Sequence, residues 1–270
     1  MTSNAPAQRF RIDLAYDGRS YEGWGSQVSG NTVQDSLQRA LQKICSSITG
    51  AQGSGRTDAG VSAVNQVAHF DAPLNWRMKP QEWLKALNAN LPPTIRVHGC
   101  FRVAPDFHAR FSALEKTYRY EIFTGPVLPP LKVRLAWHQP RLSGVPDEKL
   151  ARAMDLFVGE HDFRSFSANR NDGKDEDRNT VRSVTAAVLS RPDNETLWLR
   201  FSGNGFLYKM VRFLVATVVT HGLEKIPQSA IISLLAGETP KKKAPLCAPP
   251  DGLILENVRY GVEVDGISRE

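Results

Sequence analysis

Residues 32–70 read TVQDSLQRALQKICSSITGAQGSGRTDAGVSAVNQVAHF, and the order of elements within them decides the fold class. Gly50, Gly55, Arg56 and Thr57 stand at the spacing of the phosphate-cradling loop G-x-x-x-x-G-K-[ST], with arginine in lysine's place. Such a loop follows a buried strand and opens a helix, so that phosphate meets the helix N-terminus. Here the order is reversed. Thr32 is a good N-cap with Asp35 three residues on, and Val33, Leu37, Ala40, Leu41 and Ile44 make one apolar helical face before the glycines. After the glycines, VNQVAHF (64–70) reads as a strand closed by Asp71-Ala72-Pro73. A helix-to-strand loop is no nucleotide cradle, so the segment needs another explanation.

The same grammar extends in both directions. RFRIDLAYDG (9–18) alternates Phe10, Ile12 and Leu14 with Arg11 and Asp13 and reads as a strand. QEWLKALNANL (81–91) reads as a helix stopped by Pro92-Pro93, and TIRVHGCFRV (94–103) as another strand. In the second half, TYRYEIF (117–123) reads as a strand and DEKLARAMDLFVG (147–159) as an amphipathic helix. Residues 181–203 read as a hairpin turning at Pro192-Asp193-Asn194. A helix is expected from about Gly205 to His221, a shorter one over SAIISLLAG (229–237), and a closing strand over LILENVRYG (253–261). Residues 167–180 form a polar insertion. The pattern predicts an α+β protein of two halves, an N-terminal domain over 1–105 and a C-terminal domain over 106–270.

Composition bounds the function. With 270 residues, 41% hydrophobic and 23% charged, the chain is long enough for two cores. Lys and Arg exceed Asp and Glu by 34 to 28, a net +6 that suits a polyanionic partner without requiring one. Cys45, Cys100 and Cys247 are far apart with no C-x-x-C pair, and the six histidines show no ligand spacing, so no metal site is expected. The start, MTSNAPAQRF, lacks the apolar core of a signal peptide, and Lys209 and Arg212 interrupt the most apolar stretch, 206–221. A soluble, cytoplasmic protein without membrane contact is expected.

Three features stand out as chemistry. Asp58 lies between Gly55 and Gly60 on a loop able to approach a ligand, although spacing alone favours an ordinary turn aspartate. Arg212 lies within FLYKMVRFLVATVV, apolar nearly all round, where a buried guanidinium needs an anion unless it reaches solvent. FHARFSALEKTYRY (107–120) interleaves His108, Arg110, Lys116 and Arg119 with Phe107, Phe111, Tyr118 and Tyr120. That mixture suits single-stranded nucleic acid, or else a strand with one aromatic and one basic face. Lys241-Lys242-Lys243 reads as a phosphate contact or a solvated loop.

Taken in order, YDGRSYEGW (16–24), TVQDSLQRAL (32–41), GRTDAGVSA (55–63), LNANLPPTIRV (87–97), FHARFSALEKTYRY, GNGFLYKMVR (203–212) and APPDGLIL (248–255) resemble the TruA-type tRNA pseudouridine synthases, from about residue 9 to 260. The resemblance implies two ferredoxin-like or RNP-like α+β halves forming a central, mainly antiparallel sheet with flanking helices and a basic cleft between them. It implies a homodimer that converts uridines 38–40 of the tRNA anticodon arm to pseudouridine without cofactor or metal. It makes Asp58 the catalytic aspartate, Tyr118 the ring stacked on the target base and Arg212 the partner of the aspartate. Arg56 then assists nucleotide extrusion, Leu253 lines the uracil pocket, and Lys116 and Arg110 contact the tRNA. The chain departs from the family pattern twice. Gly25 follows Gly23-Trp24 where glutamine is usual, and Ser62 stands where histidine is common.

Overall fold

The computed structural model describes residues 7–170, 178–237 and 243–265. Lys241, Lys242 and residues 171–177 of the polar insertion lie outside the described residues. The chain forms two units, one of Met1–Leu114 with Ile254–Glu270 and one of Glu115–Leu253. The sequence reading instead has one cut near residue 105 and a second domain running to 270. The last strand's return to the first unit is a long-range pairing that no local pattern announces.

The first unit carries β1 (Ala7–Tyr16), α1 (Val33–Ile44), β2 (Ala51–Gly53), β3 (Ser62–Pro73), α2 (Pro80–Asn90) and β4 (Ile95–Val103). The second carries β5 (Glu115–Phe123), β6 (Trp137–His138), α3 (Asp147–Asp155), β7 (Gly159–Asp162), β8 (Val181–Asp193), β9 (Thr196–Gly203), α4 (Met210–Gly222) and α5 (Gln228–Leu235). β10 (Leu253–Arg259) and the short α6 (Val262–Asp265) follow. The class is α+β, with mainly antiparallel strands. β3 and β4 flank β1, β9 pairs with β5 and β8, and β8 pairs with β7, all antiparallel. Ile254 and Leu255 of β10 run parallel to Ser62 and Ala63 of β3.

In the first unit, alternation along β1 puts Phe10, Ile12 and Leu14 wholly out of solvent. Phe10 faces Phe70 of β3 across the ladder, and Trp83 of α2 closes on both rings at 5.7 and 5.0 Å. Each such side chain contributes about 1.5–3 kcal/mol by leaving water. α1 begins as read, with the Thr32 side chain accepting the Asp35 N–H at 3.1 Å. In the second unit, Phe157 packs against Phe166 and Phe201 at 5.2 and 6.4 Å.

Three boundaries move. α4 starts at Met210 rather than Gly205, because Lys209 takes a left-handed conformation (φ 60°) that a helix interior excludes. α3 ends at Asp155, four residues short, since Phe157 and Val158 donate to Met154 and Asp155 in tight turns. The hairpin turns at Asn194 and Glu195, with Asp193 opposite Thr196 and its carboxylate accepting the Glu195 N–H at 2.9 Å.

The other face of β1 and β3 is polar but ordered. Arg9 grips Asp71 through Nε and NH2, both at 2.7 Å, which holds the Asp71 carboxyl below its ordinary range. His69 is buried, accepts the Ala109 N–H at Nδ1 (3.2 Å), and has its pKa lowered to about 4 by burial, with Arg9 and His108 acting the same way and Asp71 opposing. Between pH 6.5 and about 4 the unfolded chain therefore binds a proton at this histidine that the folded chain refuses. Stability should fall as pH falls through that window, and His69→Gln should flatten that part of a melting-temperature profile. An unchanged profile in the variant would contradict this assignment.

Candidate active site

The loop between β2 and β3 carries Arg56 and Asp58, and its backbone is fastened on both sides of the aspartate. Ser54 donates its N–H to the Val67 carbonyl at 2.7 Å and its hydroxyl to Gln66 Oε1 at 2.6 Å. Gln66 returns Nε2 to the Gly55 carbonyl at 3.0 Å. Ser54 and Gln66 are wholly buried, where each polar atom left without a partner would cost about 1–3 kcal/mol. The Thr57 carbonyl accepts the Trp24 N–H at 3.1 Å, and its hydroxyl lies 2.8 Å from the Tyr16 hydroxyl. Burial raises the Tyr16 pKa to about 12, so this group stays a neutral hydroxyl. Beyond Asp58, Val61 donates to the Asp58 carbonyl (3.1 Å) and Gly60 to the Tyr21 carbonyl (3.2 Å).

Glycines make this proximity possible. Gly23 sits at φ +96°, and a Cβ there would lie 2.6 Å from the Thr57 carbonyl oxygen. The two departures from the family pattern both touch this loop. Ser62 Oγ accepts the Gly18 N–H at 3.0 Å. A Cβ at Gly25 would lie 3.2 Å from Arg56 Nε, so the bare glycine leaves room for that side chain. Asp58 is half-buried, whereas Arg56 is exposed and makes no hydrogen bond or ion pair among the described residues.

In the second unit, β5 presents Tyr118, Tyr120 and Ile122 on its buried face. The Tyr118 ring meets Phe206 edge to face at 5.3 Å. Lys116 lies on the same strand opposite Gly203 of β9. Arg212, in the first turn of α4, donates Nε to the Ala248 carbonyl at 2.7 Å, and Ala248 donates back to the Arg212 carbonyl at 3.2 Å. The next residues are clamped to β5. The Tyr120 hydroxyl donates to the Pro249 carbonyl at 2.8 Å, and Glu121 donates to the Gly252 carbonyl at 2.9 Å. Gly252, at φ +88°, is required there because a Cβ would lie 2.4 Å from the Glu121 carbonyl oxygen. This clamp seats Leu253, buried at the start of β10. Burial drives the Tyr120 phenol pKa well up, with the Arg212 charge opposing.

Arg56 and Asp58 thus share one loop, Lys116 and Tyr118 one strand, and Arg212 and Leu253 flank one clamped segment. Arg110 sits in the turn after β4. Four residues hold the Asp58 loop: sequence reasoning met Thr57 only within the rejected phosphate-loop spacing, and it did not single out Tyr16, Ser54 or Gln66. Gln66 alone leaves a trace, as a polar residue just before the apolar pair Val67-Ala68 on a strand.

Among the described residues, no group of three or more His, Cys, Asp or Glu side chains is placed to hold a metal ion. No helix there is long and apolar enough to cross a membrane. A family model described as tRNA pseudouridine synthase matches residues 153–261. Over 259 residues the chain is 43% identical to the tRNA pseudouridine synthase A of Akkermansia muciniphila, covering 96% of this chain and 97% of that protein. It is 41% identical to the protein of the same name from Solidesulfovibrio magneticus, over 94% of this chain and 91% of that one. With that of Limosilactobacillus reuteri it shares 39% identity over 94% and 97% of the two chains.

Proposed function

The chain belongs to the tRNA pseudouridine synthase A family, and on that premise we propose how its residues turn uridine in tRNA into pseudouridine. The reaction breaks the N1–C1′ bond, turns the uracil, joins C5 to C1′ and returns a proton to N1 as one leaves C5. Atoms balance without an external reactant.

Asp58 is the carboxylate that acts on the sugar while C1′ becomes cation-like, the demand that glycosidic cleavage makes of a carboxylate. Tyr118 stacks on the target base, Leu253 lines its pocket, and Arg212 supplies positive charge to the reacting group. Arg56, exposed on the same loop as Asp58, takes part in extruding the nucleotide, which costs a few kcal/mol of stacking. Arg110 and Lys116 add phosphate contacts, in keeping with the net charge of +6. The target is the anticodon arm at positions 38–40, in the cytoplasm, and the working form is a homodimer.

The observation that carries this reading is the Asp58 loop, with its backbone fastened on both sides of a half-buried aspartate. Unmodified tRNA labelled with tritium at uridine C5 tests it. Label should be released from transcripts with uridine at 38–40 and retained by transcripts lacking it. Sedimentation should give twice the 30.0 kDa chain mass. Tight tRNA binding with no release would reduce the protein to a binding module.

A further inference from the structure

The turn after β4 holds an aromatic side chain out in water by design. Phe111 is 76% exposed, yet its ring lies 4.3 Å from the His108 ring at 35°, with the Arg110 guanidinium 5.5 Å from its centre. The turn is rigid. His108 and Ser112 exchange two hydrogen bonds, His108 N–H to Ser112 Oγ (3.0 Å) and Ser112 N–H to the His108 carbonyl (2.9 Å). The Arg110 and Phe111 N–H groups both donate to His108 Nδ1, at 3.1 and 3.3 Å. An accepting Nδ1 places the imidazole proton on Nε2, which faces Gln52 Oε1 at 2.9 Å. Behind His108 stands His69 at 4.7 Å, and behind that the buried Phe107 at 6.2 Å. Four rings in series run from the core to one open face.

We propose that His108, Arg110 and Phe111 form a stacking platform for an unpaired base of the tRNA substrate, separate from the pocket of the reacting uracil. The inference rests on the tRNA reading above and deepens it. An exposed ring backed by other rings, with a guanidinium 5.5 Å over it, offers aromatic and planar cationic surface to a base and a positive charge to its phosphate. Phe111 touches Arg110 and His108 and precedes Ser112, and His108 in turn meets Gln52, a cationic and polar setting rather than the apolar surroundings of a protein–protein core. Gln52 also ties the turn to β2, the strand that leads into the Asp58 loop.

The test uses the full chain and an unmodified tRNA transcript. Phe111→Ala and Phe111→Leu should weaken tRNA binding about tenfold and raise KM in step, with kcat at saturating tRNA and melting temperature unchanged. Phe111→Trp should bind as the wild type does. Arg110→Gln should reduce the slope of log affinity against log salt by about one, and Phe111→Ala should leave that slope alone. Wild-type affinity in Phe111→Ala overturns the platform. So does dissociation of the dimer by Phe111→Ala, which would make the ring a protein contact. If Phe111→Ala weakens tRNA binding while wild-type protein releases no tritium, the platform stands and the assigned activity fails.

Discussion

Asp58→Asn should lower pseudouridine formation by at least about a thousandfold while tRNA is still bound. Asparagine has nearly the shape of aspartate but lacks the negative charge that a cation-like C1′ requires. The hydrogen bonds through Ser54, Gly55, Thr57, Gly60 and Val61 that fasten the loop use no atom of the Asp58 side chain and stay available in the variant. The measurement is tritium release under single-turnover conditions, alongside tRNA affinity. A rate above about a tenth of wild type would remove Asp58 from the chemistry. Loss of rate together with loss of tRNA binding would make it a binding residue instead.

What could be read beforehand follows the range of the forces involved. α1 was legible because its apolar stripe and its Thr32 cap are both local, and each specifies the same start. The start of α4 was not, because Leu207 continues the apolar pattern and is buried in a loop as fully as it would be in a helix. β2 is three residues held by pairing with Phe70, His69 and Ala68, and nothing inside AQG demands a strand. The return of β10 to β3 joins residues about 190 positions apart and has no local signature.

The site divides in the same way. Glycines around an aspartate are visible in sequence, but they left Asp58 readable as a plain turn residue. Only the resemblance, carried over whole motifs, gave it a role. The residues that hold its loop are tertiary partners: Tyr16 reaches Thr57 across 41 positions, and Ser54 reaches Gln66 across 12. For Arg212 the sequence points to an anionic partner, and the Nε contact is additional to that expectation. The structure gives its Nε a backbone carbonyl, so part of its role is to seat the segment that carries Leu253.

Gly18→Ala should cost about 3 kcal/mol of stability, near the upper end of overpacking, and lower kcat about a hundredfold. Nothing about the conformation of this glycine requires it; close approach does. A Cβ at residue 18 would lie 1.9 Å from the Val61 carbonyl oxygen and 2.4 Å from its carbon. Both are backbone atoms with no rotamer to yield, so one chain segment must move by about an ångström. The segment available to move begins three residues after Asp58, and its Val61 N–H is the donor to the Asp58 carbonyl. Ser62→Ala separates the two contributions at this contact. It removes the acceptor of the Gly18 N–H without adding bulk, and should cost only about 1 kcal/mol. Gly144→Ala, where a Cβ would meet nothing within 4 Å, controls for the change of residue type. If Gly18→Ala melts and turns over like Gly144→Ala, the Asp58 loop tolerates displacement, and the fixed backbone cannot be what positions the carboxylate.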